Sequence, residues 1–262
     1  MYYYIYDTFL SDSKYEKTID KIKTRLLDLE IQGKHEKLTL LKSLEELVRD
    51  EVKRGANTVI ALGNDKTFLK IVNIAAQLDI TLGMIPIGPN NDLAKYFGIK
   101  QEEEACEILA ARKVVKFDMG KIKDNYFFSN IKVNKNVDRL GVVKGTFKVL
   151  PNPNCSEVIV SNFYYPEAEQ TFEKKMKKYS AQDGKLELII RTKPKKAGFF
   201  KKKKTISPID TIIQSTEFEL KSFEYLPVII DGYRVIKTPF KVEVASEKLK
   251  VIVGRDRLKS IK

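Results

Sequence analysis

Hydrophobic and polar positions follow two different periods over the first 118 residues. Helical spacing of apolar residues predicts helices over 14–29, over 38–53, from Thr67 onward, from an N-cap at Asp92 to Gly98, and over 101–112. Short apolar runs predict strands over 3–6, 58–62, 82–87 and 114–118. Because strands and helices alternate, we expect an α/β N-terminal domain, residues 1–115, with a parallel sheet covered by helices.

The pattern changes after about residue 114 to short β segments separated by turn residues. Strands are predicted over 126–133, 157–163, 186–191, 211–220, 228–230, 242–245 and 250–253, with a possible helix over 167–179. We therefore expect an all-β, sandwich-like C-terminal domain over residues 116–245. The C-terminal segment, residues 246–262, is expected to return to the first domain.

Composition narrows the chemistry that this chain can support. Of its 262 residues, 43% are hydrophobic and 32% charged, which indicates a folded protein. With two cysteines and a single histidine, His35, a disulfide framework, a Cys/His zinc site and a histidine-based nucleophile are not expected. Carboxylates, backbone amides, lysines and a bound metal must carry any catalysis. Lacking a signal-peptide pattern and a long apolar run, the chain is expected to be cytoplasmic.

The positive charge is concentrated in one segment. Of a net charge of +13, the stretch 174–204 carries +11, from twelve lysines and one arginine against two carboxylates. This segment could bind an anionic membrane through Lys195, Lys196, Phe199, Phe200, Lys201, Lys202, Lys203 and Lys204. The alternative is a solvated loop whose two phenylalanines pack on the core. Nucleic acid is not expected as a partner, because the charge is confined to one segment without a recognised motif.

Two loops follow the second and third predicted strands, Gly63–Lys66 and Gly88–Asn91. Ligands of open α/β sheets bind at the carboxyl ends of the strands, and free N–H groups at a helix start favour phosphate. Asp65 in such a loop would hold a metal or accept a proton. Alternatively, Asn64 and Asp65 are ordinary turn residues and Thr67 is a capping hydroxyl.

These two loops, with their flanking strands, resemble the catalytic domain of diacylglycerol kinases. The segments that carry the resemblance are Thr58-Val-Ile-Ala-Leu-Gly-Asn-Asp-Lys-Thr67 and Leu82-Gly-Met-Ile-Pro-Ile-Gly-Pro-Asn-Asn-Asp-Leu-Ala94, followed by Gly98. The family has Gly-Gly-Asp-Gly-Thr in the first loop and Pro-x-Gly-Thr-x-Asn-Asp in the second. Within that family the chain resembles the soluble bacterial lipid kinases and the sphingosine kinases, which implies an NAD kinase-like fold. The likeness is specific over 55–98 and looser elsewhere.

The resemblance implies a set of site residues and cofactors. It implies ATP bound between a nucleotide-binding α/β domain and a lipid-kinase β domain, Mg²⁺, and catalytic roles for Asp65 and Asp231. Nucleotide contacts are implied for Thr39, Gly63, Asn64, Asp65, Lys66, Thr67, Gly88, Asn90, Asn91 and Asp92. Asp183 resembles an acidic residue near the family's structural Mg²⁺, although a simple Asp-Gly turn is the alternative.

The chain also departs from the family pattern. Asn64 and Lys66 replace glycines of the first loop, and Pro89 replaces a threonine of the second. Tyr233 stands where the family has its active-site Glu, and a tyrosine with an ordinary pKa of about 10 is no base near pH 7. The segment after the first strand lacks the family's Asn-Pro turn.

Three functions are therefore compared. The first is an ATP-dependent lipid kinase that phosphorylates a hydroxyl of diacylglycerol or a related lipid, peripheral at the inner membrane face and a possible homodimer. The second is a weak or inactive protein of the same fold that binds nucleotide or lipid. The third is a basic nucleic-acid-binding protein.

Overall fold

The computed structural model describes residues 1–39, 42–163, 180–193 and 210–257. The chain divides into two compact units. The first contains residues 1–117 and the segment that begins at Glu247, and the second contains residues 118–246.

The regular elements are numbered in chain order. The helices are α1 (Glu16–Asp28), α2 (Leu44–Lys53), α3 (Asp65–Leu78), α4 (Asp92–Phe97) and α5 (Glu103–Ala111). The strands before the second unit are β1 (Tyr2–Tyr6), β2 (Gly33–Lys37), β3 (Thr58–Gly63), β4 (Thr81–Pro86) and β5 (Val114–Phe117). Those of the second unit are β6 (Gly120–Ile122), β7 (Asn125–Phe127), β8 (Asn130–Val133), β9 (Leu140–Lys144), β10 (Phe147–Val149), β11 (Cys155–Ser161), β12 (Leu186–Thr192), β13 (Asp210–Ser215), β14 (Glu217–Ser222), β15 (Pro227–Ile230), β16 (Arg234–Lys237) and β17 (Phe240–Val244). The last strand is β18 (Leu249–Ile252).

The first unit is built on one six-stranded sheet in the order β2-β1-β3-β4-β18-β5. All neighbouring strands are parallel except β5, which runs antiparallel to β18. Strands β3 and β4 are buried along their whole length, and α3 packs against both of them. Burial on both faces explains their continuous apolar sequences. The predicted α/β domain with a parallel sheet is confirmed.

Several helix boundaries in this unit differ from the prediction. The polar segment 33–37 forms β2, a strand that period-2 patterning misses because it lies at the sheet edge. The helix predicted from residue 38 begins at Leu44, where the Ser43 hydroxyl accepts a hydrogen bond from the N–H of Glu46. Helix α3 begins at Asp65, two residues before the predicted start at Thr67.

In the described part of the second unit, two six-stranded antiparallel sheets share one core. Their orders are β10-β9-β14-β17-β6-β7 and β13-β12-β11-β8-β15-β16. The shared core contains Phe218, Leu220 and Val242 from the first sheet and Val158, Val160, Leu186, Leu188 and Val228 from the second. Alternating residues of each strand point into this core. The predicted β-rich architecture is confirmed.

Strand boundaries in the second unit also depart from the prediction. The strand predicted over 126–133 is two strands, β7 and β8, interrupted at residues 128–129. The strand predicted over 211–220 is likewise divided, and its halves β13 and β14 lie in different sheets. Strands β6, β9, β10 and β16 are only three to five residues long and were not predicted. The possible helix over 167–179 lies outside the described residues.

Candidate active site

The first loop follows β3 and requires a glycine at its first position. Gly63 has φ +149°, and a Cβ atom there would collide with the hydroxyl oxygen of Thr67. Its carbonyl accepts a hydrogen bond of 2.8 Å from the N–H of Ile87, at the end of β4. The loop is therefore fixed both to its own helix and to the neighbouring strand.

Asn64 is the N-cap of α3. Its side-chain oxygen Oδ1 accepts hydrogen bonds from the N–H of Lys66 at 3.1 Å and the N–H of Thr67 at 3.4 Å. In return, the Asn64 N–H donates to the hydroxyl of Thr67 at 3.2 Å. This reciprocal arrangement is a capping box, and it satisfies backbone donors that a helix start otherwise leaves free.

The hydroxyl of Thr67 also connects the first loop to the end of β1. Thr67 is 1% exposed, and its Oγ1 donates a hydrogen bond of 2.8 Å to Oδ2 of the buried Asp7. The ammonium of Lys70 lies 3.8 Å from the same carboxylate oxygen. Sequence analysis assigned no role to Asp7 or Lys70. The position of Asp7 in the sequence did indicate a role at this site, because Asp7 directly follows β1 and the carboxyl ends of parallel strands meet at one sheet edge.

Asp65 joins the two loops. Its carboxylate accepts hydrogen bonds from the N–H of Asp92 at 2.8 Å and from the N–H of Leu93 at 3.1 Å. Its own N–H donates to the carbonyl of Asn90 at 3.0 Å. Burial raises the pKa of Asp65 to about 7, against the opposing effect of these backbone donors. The side chain predicted to cap α4, that of Asp92, is therefore not its cap, since Asp65 holds the first N–H groups of this helix.

The second loop contains a buried amide that is only half satisfied. Asn91 is 7% exposed, and its Nδ2 donates to the carbonyl of Gly88 at 2.6 Å. Its Oδ1 has no hydrogen-bond partner among the described residues. Exchanging the two amide atoms would oppose oxygen to the Gly88 carbonyl, so the oxygen is the atom left over. Pro89 and Asn90 are exposed, and Asn90 has φ +66°.

The segment after β1 contains no Asn-Pro turn. It forms two short 3₁₀ turns, Thr8–Ser11 and Ser13–Tyr15, capped by Asp7 and Asp12. Phe9 and Tyr15 contact each other edge to face, and both lie against Gly88. Aromatic side chains thus cover one side of the second loop.

The structure brings most of the predicted nucleotide-binding residues together. Residues of the two loops form one hydrogen-bonded group at the carboxyl ends of β3 and β4. Thr39, predicted as a further nucleotide contact, is exposed and lies two residues beyond β2. Lys66, in the first turn of α3, is exposed to solvent.

Asp231, in the second unit, occupies a different kind of environment. It is 5% exposed with φ +49°, and its carboxylate accepts hydrogen bonds from three consecutive N–H groups, those of Phe128 (3.1 Å), Ser129 (2.8 Å) and Asn130 (3.1 Å). Burial raises its pKa to about 6. This contact breaks the strand predicted over 126–133. The catalytic role of Asp231 stays a prediction, and the structure gives this residue a supporting role in the β domain.

Asp183 lies in the predicted turn before β12. It is exposed, and its Oδ1 accepts from the N–H of Lys185 at 3.0 Å. The buried Asp118 holds the same turn, because its Oδ2 accepts from the N–H of Gly184 at 2.8 Å. In the described part of the chain, no group of three or more His, Cys, Asp or Glu residues could hold a metal ion. The Mg²⁺ role of Asp183 stays a prediction.

The part of the basic segment that was predicted to contact a membrane begins beyond Lys193. Lys195, Lys196, Phe199, Phe200 and Lys201 to Lys204 lie outside the described residues. Among the helices that are described, none is long and apolar enough to cross a membrane.

Comparison with known proteins agrees with the resemblance seen in the two loops. Residues 2–122 match the family model of the diacylglycerol kinase catalytic domain. A diacylglycerol kinase of Bacillus subtilis (strain 168) is 35% identical over 80 residues, which cover 29% of this chain and 26% of the relative. One of Mycobacterium tuberculosis (strain CDC 1551 / Oshkosh) is 32% identical over 81 residues, 30% of this chain and 26% of the relative. These curated relatives are thus matched over about a quarter of their length.

A solved structure extends the likeness in fold to nearly the whole chain. This chain superposes on the crystal structure of a diacylglycerol kinase from Bacillus anthracis str. Sterne with a TM-score of 0.74. The superposition covers 98% of this chain and 97% of the solved one. The sequence identity is 17%, so this likeness shows the fold alone.

Proposed function

We propose that this chain, whose residues 2–122 match the diacylglycerol kinase catalytic domain, is an ATP-dependent kinase that phosphorylates a hydroxyl of diacylglycerol or a related lipid. The observation that carries the proposal is the position of Asp65. Its half-buried carboxyl lies between two loops at the carboxyl ends of β3 and β4, and its pKa is raised to about 7 by burial. A carboxylate with a pKa near the working pH is well suited to accept a proton.

The residues of the two loops fit a nucleotide. Helix α3 directs its N-terminal end toward the first loop, which favours a phosphate there. The unpartnered Oδ1 of Asn91 can accept a hydrogen from a ribose hydroxyl or an amino group. When bound, ATP supplies the phosphoryl group and Mg²⁺ neutralises its charge. Asp65 would accept the proton of the lipid hydroxyl; as the hydroxyl oxygen bonds to the γ-phosphorus, the bond from that phosphorus to the bridging oxygen would break and ADP would leave.

Phosphate transfer to diacylglycerol in vesicles tests this function. We expect labelled phosphate to appear in the lipid, and Asp65→Asn to reduce the rate by about 10² or more, the usual worth of a general base. Asparagine keeps one acceptor for the N–H groups of α4, so the fold should persist. The rate should rise with pH through about 7, because the basic form of Asp65 then becomes dominant.

A control is offered by Asp50, an exposed carboxylate on α2 that pairs with Lys53. Asp50→Asn changes the same charge in the same unit and should leave the rate unchanged. If the wild-type protein transfers no label to any of several lipids, the kinase proposal is wrong.

The second candidate is a catalytically silent protein of this fold that binds nucleotide or lipid. One observation favours it: the Lys66 and Thr67 N–H groups at the start of α3 already have partners within the chain. Calorimetric titration with Mg-ATP separates this candidate from a protein that binds no nucleotide at all.

Membrane contact through the lysine-rich segment is part of the same proposal. Lysines near an anionic surface contribute about 1 kcal/mol each, and salt screens this contribution. Vesicle sedimentation at two salt concentrations, with Lys201 to Lys204 replaced by glutamine, tests it. Binding that depends neither on the lipid charge nor on these substitutions would contradict the proposed membrane contact. Peripheral location at the inner membrane face and dimerisation remain predictions.

A further inference from the structure

We propose that the side chain of Asn64 is an internal competitor of the nucleotide: its amide oxygen occupies the place of a phosphate oxygen at α3 and must rotate away before nucleotide binds. The inference rests on the proposed nucleotide site. It concerns a residue at which this chain departs from the family pattern, in which a glycine stands at this position and no side chain can compete.

The two hydrogen bonds of the Asn64 cap define the competition. Its Oδ1 lies 3.1 Å from the backbone nitrogen of Lys66 and 3.4 Å from that of Thr67. These are N–H groups of the first helical turn, the donors that a bound phosphate uses at a helix N-terminus. One oxygen position serves both donors, so the amide and a phosphate oxygen exclude each other.

The remaining contacts of the loop allow this rotation without rearranging the backbone. The Asn64 N–H is held by the hydroxyl of Thr67, and the N–H of Asp65 is held by the carbonyl of Asn90. Gly63 is fixed by Ile87 through its carbonyl. The Asn64 side chain itself is half-buried, so it has solvent to turn into. Only this side chain has to move.

An independent feature of the second loop points to a ligand. Asn91 is more than nine-tenths buried, yet its Oδ1 has no hydrogen-bond partner among the described residues. A buried acceptor without a partner is unfavourable until a donor reaches it. Asp65 makes hydrogen bonds to both neighbours of Asn91: its N–H donates to the carbonyl of Asn90, and its carboxylate accepts from the N–H of Asp92. Asn91 therefore belongs to the same group of residues as the Asn64 cap.

Replacement of Asn64 by glycine should reveal the competition. Asn64 has φ −108° and ψ −174°, an extended conformation open to any residue, and glycine is an acceptable N-cap. Asn64→Gly should therefore fold and bind Mg-ATP about twofold more tightly, because an asparagine N-cap is only a few tenths of a kcal/mol better than a glycine. Asn64→Asp keeps the cap and adds a negative charge, so it should bind at least fivefold more weakly.

Ser43 provides the matched control. It caps α2 in the same unit through one hydrogen bond from the N–H of Glu46, at 3.4 Å. Ser43→Gly removes a cap away from the loops, so it should lower thermal stability slightly and leave the dissociation constant of Mg-ATP unchanged. Isothermal titration calorimetry of the four proteins, with melting curves for each, gives the comparison.

The outcomes separate this inference from the proposed function. The inference is supported if the affinity for Mg-ATP decreases from glycine to asparagine to aspartate at position 64, while Ser43→Gly binds as tightly as wild type. Equal binding by wild type and Asn64→Gly overturns the inference and leaves the nucleotide site intact. No binding by any variant overturns both. Should Asn64→Gly fail to fold, binding by Asn64→Asp that equals or exceeds wild type overturns the inference.

Discussion

The contact between Thr67 and Asp7 offers a direct test of how the first loop is held. Thr67→Val removes the hydroxyl and keeps the volume and the branched Cβ, so packing and helix propensity change little. Two interactions are lost: the 2.8 Å hydrogen bond to the Asp7 carboxylate and the 3.2 Å hydrogen bond from the Asn64 N–H.

The magnitude follows from the burial of this pair. Asp7 is 8% exposed and Thr67 1%, so the carboxylate cannot replace the lost donor with bulk water. A hydrogen bond to a charged group contributes about 1.5–3 kcal/mol, and an unsatisfied backbone donor costs about 1–3 kcal/mol. We therefore expect Thr67→Val to lower the free energy of unfolding by about 3 kcal/mol, a large part of the stability of an ordinary domain.

Urea unfolding followed by circular dichroism measures this change. Thr24 is the control, because its hydroxyl also makes a helix hydrogen bond, at 3.0 Å to the carbonyl of Asp20, but on the exposed face of α1. Thr24→Val should cost less than about 0.5 kcal/mol. A double-mutant cycle of Thr67→Val with Asp7→Ala should give a coupling energy of about 1.5–3 kcal/mol. A loss below about 1 kcal/mol for Thr67→Val, or an equal loss for Thr24→Val, would refute the reasoning.

Three further predictions concern other buried positions. Glu187 on β12 is fully buried, and burial raises its pKa from 4.5 to about 8. The free energy of unfolding should therefore fall by up to about 1.4 kcal/mol per pH unit as pH rises from about 4.5 to 8. Glu187→Gln should abolish this dependence in melting curves taken across that range. Asp231→Asn should cost about 2 kcal/mol in urea unfolding, because an amide cannot accept all three N–H groups, whereas its left-handed backbone suits asparagine equally. Gly63→Ala should cost about 1–3 kcal/mol through its φ of +149° and the collision with Thr67, and a melting temperature equal to wild type would contradict that expectation.

The alternation of strands and helices was predictable because burial leaves a strong periodic signal. Strands β3 and β4 are apolar after their first residues, Thr58 and Thr81, and helix α3 buries Phe68, Ile71, Val72 and Ala75 at helical spacing. Strand β2 gave no such signal, since an edge strand that is hydrogen-bonded to only one neighbouring strand, β1, can be polar. The divided strands of the second unit were missed for another reason. Their breaks depend on long-range contacts, such as that of Asp231 with residues 128–130, and periodicity does not report these.

The candidate site was predictable in position but not in its internal bonding. Two loops at the carboxyl ends of neighbouring parallel strands had to lie close together, and Asp65 does connect them. The local sequence did not indicate which group caps each helix. Aspartate is a common N-cap residue, yet Asp92 does not cap α4, because Asp65, 27 residues earlier, accepts the hydrogen bonds from the first N–H groups of this helix. The partner of Thr67 was hidden for the same reason, since Asp7 lies 60 residues away.

The departures from the family pattern can now be ranked by what they do to the site. The Asn64 cap occupies donors that the proposed nucleotide phosphate would use, whereas Lys66 is exposed and brings a positive charge to the same turn. These two changes act in opposite directions on an anionic ligand, because the amide competes for donors and the ammonium attracts charge. Lys66→Gly should therefore weaken Mg-ATP binding in the same titration in which Asn64→Gly strengthens it. If both glycine replacements strengthened binding, the two residues would act together as a barrier to nucleotide, and the catalytically silent candidate would become the better account of this chain.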